Sequence, residues 1–123
     1  MVSVQRKTVL IVDDQSTARG VLRRMLERAG YRVMEAESGE QALALAADSA
    51  VDAVVLDVKM PSLSGIELKR RLEKVRSGMK YIFLTGHGSE DDFRAGKAEA
   101  SLYLVKPLDI ETLIEAMQKV VES

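Results

Sequence analysis

The sequence predicts one α/β domain in which five parallel β-strands alternate with helices in a doubly wound sheet. Short apolar runs recur along the chain, and a segment of helical periodicity or helical length follows each of them, which is the pattern of repeated βα units. These runs read TVLIV, YRVMEA, AVVL, YIFL and LYLV. At 123 residues the chain has the size of one ordinary domain. We therefore expect residues 1–123 to form a single domain.

The first helix is predicted from about Ser16 to Ala29. Its apolar residues recur at helical spacing, at Ala18, Val21, Leu22, Met25, Leu26 and Ala29. Either Ser16 or Thr17 can cap its start, and Gly30 is suited to end it. One face of this helix should pack on the sheet.

Four further helices are predicted between or after the strands. They cover about Glu40 to Ala47, Ile66 to Val75, Glu90 to Ala98, and a last segment from about Asp109. The segment from Glu90 has Phe93 as its only large apolar residue, so its pattern is the weakest. The last helix places Ile110, Leu113, Ile114, Met117 and Val121 on one face, and its first turn is acidic.

Strand composition predicts the order of the sheet. Buried central strands of a parallel sheet are continuously apolar, as the first, third and fourth runs are. The second run, YRVMEA, alternates and suits an edge, and the fifth can form the other edge. This is the flavodoxin-like (βα)5 arrangement with strand order 2-1-3-4-5, in which ligands bind beyond the carboxyl ends of the central strands.

Composition excludes several kinds of site. The chain has no cysteine and a single histidine, His87, which rules out disulfides, thiolate chemistry and a multi-histidine zinc site. The net charge of −1 gives no basic field for direct nucleic-acid binding. The apolar runs are far shorter than the ~20 residues of a membrane helix, and the N-terminus lacks a secretory pattern. We expect a cytoplasmic protein that does not enter membranes.

Polar residues follow the central strands at the edge where ligands would bind. Asp13 and Asp14 follow the first strand, Asp57 ends the third, Thr85 follows the fourth and Lys106 the fifth. Three neighbouring carboxylates repel one another unless protons or a cation neutralise them, and an all-oxygen donor set suits Mg²⁺. Magnesium bound by few protein oxygens favours a phosphate oxygen as a further ligand. The hydroxyl and ammonium groups are suitable partners for that phosphate.

Four motifs in order give the chain a specific resemblance. LIVDDQ, VVLDVKMPSLSGIEL, FLTGHG and YLVKPL span nearly the whole sequence, and together they resemble the receiver (response regulator) domain of two-component phosphorelay signalling. The resemblance implies that Asp57 accepts a phosphoryl group from a histidine kinase. It further implies that Asp14 binds Mg²⁺ directly, Asp13 through a metal-bound water, and Lys59 through its backbone carbonyl.

The resemblance also implies a switch. Thr85 and Lys106 would contact the phosphoryl group, and Tyr103 would be the switch aromatic on the fifth strand. Phosphorylation would then alter a protein-interaction face made by helix 4, strand 5 and helix 5. Such a domain is a signalling phosphoacceptor rather than an enzyme, although it assists its own phosphotransfer and autodephosphorylation.

The implied partners are proteins. They are a sensor histidine kinase or phosphotransfer protein upstream, and a downstream effector or fused output domain. A phosphorylation-dependent homodimer is a further expectation. The sequence does not identify the kinase or the output.

Three alternatives compete with this interpretation. A haloacid-dehalogenase-type phosphatase requires Asp-x-Asp, and Gln15 occupies the second acidic position. A flavodoxin-like electron carrier requires hydroxyl and backbone donors in its first loop, which here reads DDQSTARG and is acidic. The stronger alternative is a constitutive interaction module with a receiver fold, whose partner binding does not depend on phosphorylation.

Overall fold

The computed structural model describes residues 6–57, 65–85, 102–105 and 109–122. At Thr85, Tyr103 and Val105 it describes the backbone only. In the described residues, strands and helices alternate as predicted from the first strand to the fourth, and the last helix is called the C-terminal helix below. The elements are β1 (Thr8–Val12), α1 (Ser16–Arg28), β2 (Arg32–Ala36), α2 (Gly39–Asp48), β3 (Ala53–Asp57), α3 (Gly65–Val75), β4 (Lys80–Thr85), β5 (Leu102–Val105) and the C-terminal helix (Ile110–Val120). The helix predicted from Glu90 to Ala98 lies outside the described residues.

The sheet has the predicted topology. Its strand order is β2-β1-β3-β4-β5, and every neighbouring pair is parallel. The alternating strand β2 is one edge and β5 is the other, as the sequence indicated. In the register, Val12 lies opposite both Ala36 and Leu56, and Asp57 lies opposite Leu84. The carboxyl ends of the three central strands therefore finish side by side.

Two apolar clusters cover the two faces of the sheet. Successive side chains of a strand point to opposite faces, so β1 supplies Leu10 and Val12 to one cluster and Val9 and Ile11 to the other. Helices α2 and α3 close the first face, with Ala42, Ala46, Leu68 and Leu72. Helix α1 and the C-terminal helix close the second, with Leu22, Leu26, Leu113 and Met117. Each fully buried large apolar side chain contributes roughly 1.5–3 kcal/mol.

Helix α1 differs from its prediction in two details. Its N-cap is Gln15, whose side chain makes no capping hydrogen bond, so neither Ser16 nor Thr17 caps the helix. Val21, predicted on the buried face, is 40% exposed, whereas Leu22 is buried. The buried stripe is narrower than the apolar periodicity suggested. Gly30 follows the helix at φ 100°, a backbone conformation that glycine adopts without steric cost.

Side chains cap two other helices. The Ser38 hydroxyl accepts a hydrogen bond from the Gln41 backbone N–H (3.2 Å), which starts α2. Asp109 accepts from the Thr112 N–H (2.7 Å) at the start of the C-terminal helix, and this hydrogen bond lowers the pKa of Asp109. Ile110 is 41% exposed, so it does not join the buried face on which its spacing placed it.

Backbone hydrogen bonds join three strands where they begin, at the amino end of the sheet. The Asp52 carboxylate accepts from the Thr8 backbone N–H (2.7 Å), and the Asp52 N–H donates to the Thr8 carbonyl (2.9 Å). The Lys80 N–H donates to the Asp52 carbonyl (3.0 Å). Asp52 thus connects the starts of β1, β3 and β4, and its carboxylate stabilises this end of the sheet by accepting the hydrogen bond from Thr8.

Two tyrosines are buried near the same amino end. Burial, followed by the charge of Glu122 and a hydrogen bond with it, raises the pKa of Tyr31. Burial also raises the pKa of Tyr81, with a smaller contribution from Glu73. The Lys69 ammonium lies 5.5 Å from the centre of the Tyr81 ring and 3.1 Å from Glu73. Both phenols are therefore held in their neutral form.

Candidate functional site

Three acidic side chains meet at the carboxyl end of the sheet. Asp13 and Asp14 follow β1, and Asp57 is the last residue of β3. Each offers one carboxylate oxygen, and these oxygens all lie within 4.8 Å of one another. The strands β1 and β3 are hydrogen-bonded neighbours, which explains the convergence. The predicted gathering of these three acids at one edge is therefore found in the structure.

The three acids differ in exposure. Asp13 is 1% exposed and Asp57 is 9% exposed, whereas Asp14 is exposed to solvent. Like charges repel more strongly when they are poorly solvated. The cluster is therefore an anionic site of two buried carboxylates with one side open to water, and it should attract a cation.

The backbone around Asp13 is fixed from several directions. Its N–H donates to the Ala36 carbonyl of β2 (3.1 Å), and its Oδ1 accepts from the Gln15 backbone N–H (2.9 Å). The Asp13 carbonyl accepts from Nη1 of Arg19 (2.6 Å), whose Nε also contacts Oε1 of Glu35 (3.1 Å). These contacts set where the Asp13 carboxylate lies.

Arg19 and Glu35 do not emerge as site residues in the sequence analysis, although the sequence carries a signal for their pairing. Glu35 alternates with Tyr31 and Val33, which places its side chain on the face of the sheet that α1 covers. Arg19 and Arg23 lie one turn apart on α1 and both reach this carboxylate. An acidic residue on the side of an edge strand that α1 covers predicts a basic partner on that helix.

The donor set fits a divalent cation of the magnesium type. Magnesium binds oxygen at about 2.0–2.1 Å in octahedral geometry, so two of its ligand oxygens lie about 3–4.2 Å apart. Carboxylate oxygens gathered within 4.8 Å can reach one such ion, directly or through its bound waters. All donors here are oxygens, which is the chemistry that Mg²⁺ prefers over softer ligands.

Of the other predicted site residues, the structure describes the backbone of Thr85 and Tyr103. Thr85 ends β4, one residue beyond Leu84, which lies opposite Asp57 in the register. Its backbone is therefore beside the acidic cluster. Tyr103 lies on β5 opposite Phe83. Lys59, Lys106 and His87 lie outside the described residues.

Comparison with known proteins places the chain in a family. The response regulator receiver domain model matches residues 9–118, and the chain belongs to that family. It is 32% identical over 117 residues to sporulation initiation phosphotransferase F of Bacillus subtilis, with 94% of each chain covered. The chain spans about half the length of several other curated relatives, among them the phosphate regulon transcriptional regulatory protein PhoB of Pseudomonas aeruginosa, which is 38% identical over 117 residues. The resemblance drawn from the motifs is confirmed.

Solved structures of response regulators share the fold of this chain. Response regulator TrrA of Thermotoga maritima, solved in complex with Mg²⁺-BeF, is 34% identical with a TM-score of 0.81, covering 92% of this chain and 97% of that one. A response regulator of Burkholderia pseudomallei, solved with a phosphorylated aspartic acid, a calcium ion and citrate, is 33% identical with a TM-score of 0.81, covering 91% and 66%. The protein is thus a receiver domain of the two-component type with a flavodoxin-like fold and an acidic cluster at the expected edge. Within the described residues, none of the helices has the length and apolar character needed to cross a membrane.

Proposed function

We propose that this receiver domain accepts a phosphoryl group on Asp57 from a histidine kinase or phosphotransfer protein, with Mg²⁺ bound in the acidic cluster. The observation that carries the proposal is the position of Asp57. It is 9% exposed at the end of a central strand, and its carboxylate lies within 4.8 Å of two further acids. The phosphorylated aspartic acid in the Burkholderia relative supports the same assignment.

The transfer is an in-line displacement at phosphorus. A carboxylate oxygen of Asp57 forms a bond to phosphorus while the bond from phosphorus to the donor's imidazole nitrogen breaks, and the nitrogen keeps the electron pair. Phosphoryl transfer depends mainly on positioning and charge neutralisation. Mg²⁺ would supply that neutralisation when bound; Asp14 would hold it directly, Asp13 would hold it through water, and the backbone carbonyl of Lys59 would complete the set. Water later hydrolyses the acyl phosphate, so the domain limits its own signal without being an enzyme acting on a separate substrate.

The new charge then acts on neighbouring residues. Thr85 and Lys106 would contact the phosphoryl oxygens, through a hydroxyl and an ammonium donor. As Thr85 turns towards the phosphoryl group, Tyr103 on β5 would rotate inward. The face built from the fourth predicted helix, β5 and the C-terminal helix would change shape. A coupling free energy of about 1–3 kcal/mol is enough to change partner affinity several-fold to a hundredfold.

The proposed partners follow from this cycle. An upstream histidine kinase or phosphotransfer protein donates the phosphoryl group, and an effector protein or fused output domain recognises the altered face. A phosphorylation-dependent homodimer through that face is part of the proposal. So are a cytoplasmic location and one domain over residues 1–123.

Intact-mass spectrometry after incubation with acetyl phosphate tests the proposal. We expect wild type to gain one phosphoryl group in the presence of Mg²⁺ and none after chelation. Asp57→Asn should gain none. Asp48→Asn, which makes the same change at an exposed acid at the end of α2, should be phosphorylated like wild type.

Partner binding separates this proposal from a constitutive module. Affinity for a captured effector should differ between the phosphorylated and unphosphorylated wild type, and Asp57→Asn should be fixed in the unphosphorylated behaviour. Failure of wild type to gain mass with Mg²⁺ present, or a phosphoryl group on Asp57→Asn, would contradict the assignment of Asp57. Equal partner affinity in both states would instead favour the constitutive module.

A further inference from the structure

An arginine on α1 connects the acidic cluster to the edge of the sheet. Arg19 Nη1 donates to the Asp13 carbonyl at 2.6 Å, and Arg19 Nε donates to Glu35 Oε1 at 3.1 Å. The arginine side chain is only 13% exposed, although it carries a full charge. It therefore makes two bonds in two directions with one rigid, planar group.

Arg19 contacts the main chain of Asp13 rather than its carboxylate, so it fixes the backbone of that residue. The Asp13 N–H is already held by the Ala36 carbonyl of β2. Arg19 holds the other side of the same residue through its carbonyl. With both sides fixed, and Oδ1 accepting from the Gln15 N–H at 2.9 Å, the Asp13 carboxylate has little freedom to turn away from Asp14 and Asp57.

Glu35 balances the charge of the arginine. Its Oε1 contacts Arg19, and its Oε2 lies 2.6 Å from Nη1 of Arg23. Arg23 also pairs with Glu27, at 3.3 Å. An isolated guanidinium beside a cation site would repel the cation. Because Glu35 lies against it, Arg19 can hold the backbone of the site without placing an unbalanced positive charge there.

We propose that Arg19, held by Glu35, is a positioning residue that orients Asp13 and so strengthens Mg²⁺ binding in the acidic cluster. This inference rests on the proposed function, because it assumes that the three acids bind the ion. Partners outside the first coordination shell commonly fix ligand orientation, and their loss typically weakens metal affinity by about 10–100-fold. The side chain acts through Asp13 and does not itself touch the ion.

A purely electrostatic role would have the opposite sign. If Arg19 only contributed positive charge, its removal would relieve repulsion and strengthen Mg²⁺ binding. Removing Arg19 and Glu35 together would leave the local charge balanced and the affinity unchanged. Positioning predicts weaker binding in both cases, so the direction of the change separates the two roles.

Titration of ¹⁵N-labelled protein with MgCl₂, followed by amide NMR shifts, measures the affinity and reports the fold in the same spectra. We expect Arg19→Ala to bind Mg²⁺ up to about tenfold more weakly than wild type, because relieved repulsion offsets part of the lost positioning, and the charge-balanced Arg19→Ala/Glu35→Ala variant to be at least about tenfold weaker. Arg19→Lys keeps the charge with one donor group and should recover part of the loss. Arg24→Ala is the matched control, because Arg24 is exposed on the same helix and its side chain donates to the Gly20 carbonyl of that helix. It should bind like wild type.

The outcomes distinguish this inference from the proposed function. If wild type binds Mg²⁺ and both alanine variants bind it equally well or more tightly, the positioning role is overturned and the phosphoacceptor proposal stands. If wild type itself shows no Mg²⁺-dependent shifts near the acidic cluster, both are overturned. Should the alanine variants lose their native spectra, Arg19→Lys decides: unchanged affinity overturns the inference, and weaker affinity with a native spectrum supports it.

Discussion

Two aspartates at the two ends of β3 have opposite surroundings. Asp52, just before the strand, accepts a hydrogen bond from the Thr8 backbone N–H at 2.7 Å, and its own backbone joins β1 and β4. Asp57, the last residue of the strand, lies with two other carboxylates whose oxygens fall within 4.8 Å. The residue type is the same and five positions separate the two.

The comparison shows that an acidic side chain stabilises the fold at the amino end of β3, whereas the acids at its carboxyl end destabilise the fold. At the amino end, a carboxylate satisfies a backbone donor that would otherwise lose its partner on burial. At the carboxyl end, three acids repel one another until a cation arrives. We therefore expect substitutions at the two ends to change the free energy of unfolding in opposite directions.

Asp52→Ala should give the largest effect. It removes a charged acceptor from the Thr8 N–H, and hydrogen bonds to charged groups contribute about 1.5–3 kcal/mol. We expect a loss of about 2 kcal/mol in the free energy of unfolding, measured by urea denaturation. Asp52→Asn keeps an acceptor oxygen and should lose less. Equal stability of Asp52→Ala and wild type would remove the distinction between the two ends.

Adding Mg²⁺ should stabilise wild type. A ligand that binds only the folded state at ten times its dissociation constant adds about 1.4 kcal/mol. The gain arises at the carboxyl end, so Asp52→Ala should keep it and Asp14→Asn should lose most of it. Denaturation with and without Mg²⁺ measures this, with NaCl at matched ionic strength as the control. A gain of the same size in Asp14→Asn would locate the bound ion elsewhere.

Asp57→Asn should raise stability in metal-free buffer. The substitution removes one of three like charges, and a pair of such charges at about 4 Å costs about 1 kcal/mol even when well solvated. We expect a gain of about 1 kcal/mol by urea denaturation in the presence of a chelator, shrinking when Mg²⁺ is added to both proteins. Asp48→Asn, at an exposed site, should show no such dependence on the metal. A less stable Asp57→Asn in the absence of metal would show that the acids do not strain the fold.

Alkaline pH should produce the smallest effect, from the tyrosines of the amino end. Burial raises the pKa of Tyr81 and of Tyr31, so the folded state keeps these protons at a pH where the unfolded state loses them. Their contribution to stability is complete below about pH 10 and is lost as the pH rises above it. Urea denaturation of Tyr81→Phe should show a shallower decline above about pH 10 than wild type. Identical slopes would mean that Tyr81 does not couple folding to pH.

The fold was predictable because its signals are periodic. Apolar runs mark each strand, helical spacing marks α1 and the C-terminal helix, and the alternation in β2 identifies an edge. The exposure of Val21 was not predictable in this way. Periodicity shows which side of a helix is apolar, but how much of that side is buried depends on how the helix packs against the sheet. The same applies to Ile110 in the first turn of the C-terminal helix.

The site was predictable in outline for a different reason. Parallel strands bring their carboxyl ends to one edge, so topology alone gathers Asp13, Asp14 and Asp57. The surrounding support was harder to predict. The bond from Arg19 to a backbone carbonyl leaves no signature in residue type, and Asp13 rather than Ser16 or Thr17 accepts from the backbone N–H just before α1.

The central position of β1 has a consequence for synthesis. This strand, with Val9, Leu10 and Ile11 fully buried, leaves the ribosome before either of its partners. It pairs with β2 and then with β3, whose residues begin at Ala53. Such distant pairings make folding slow and leave apolar segments exposed meanwhile. A nascent chain whose β3 has not yet left the ribosome would therefore present β1 with one side unpaired. Chaperones that recognise extended apolar segments should bind such a chain until β3 has emerged as far as Asp57.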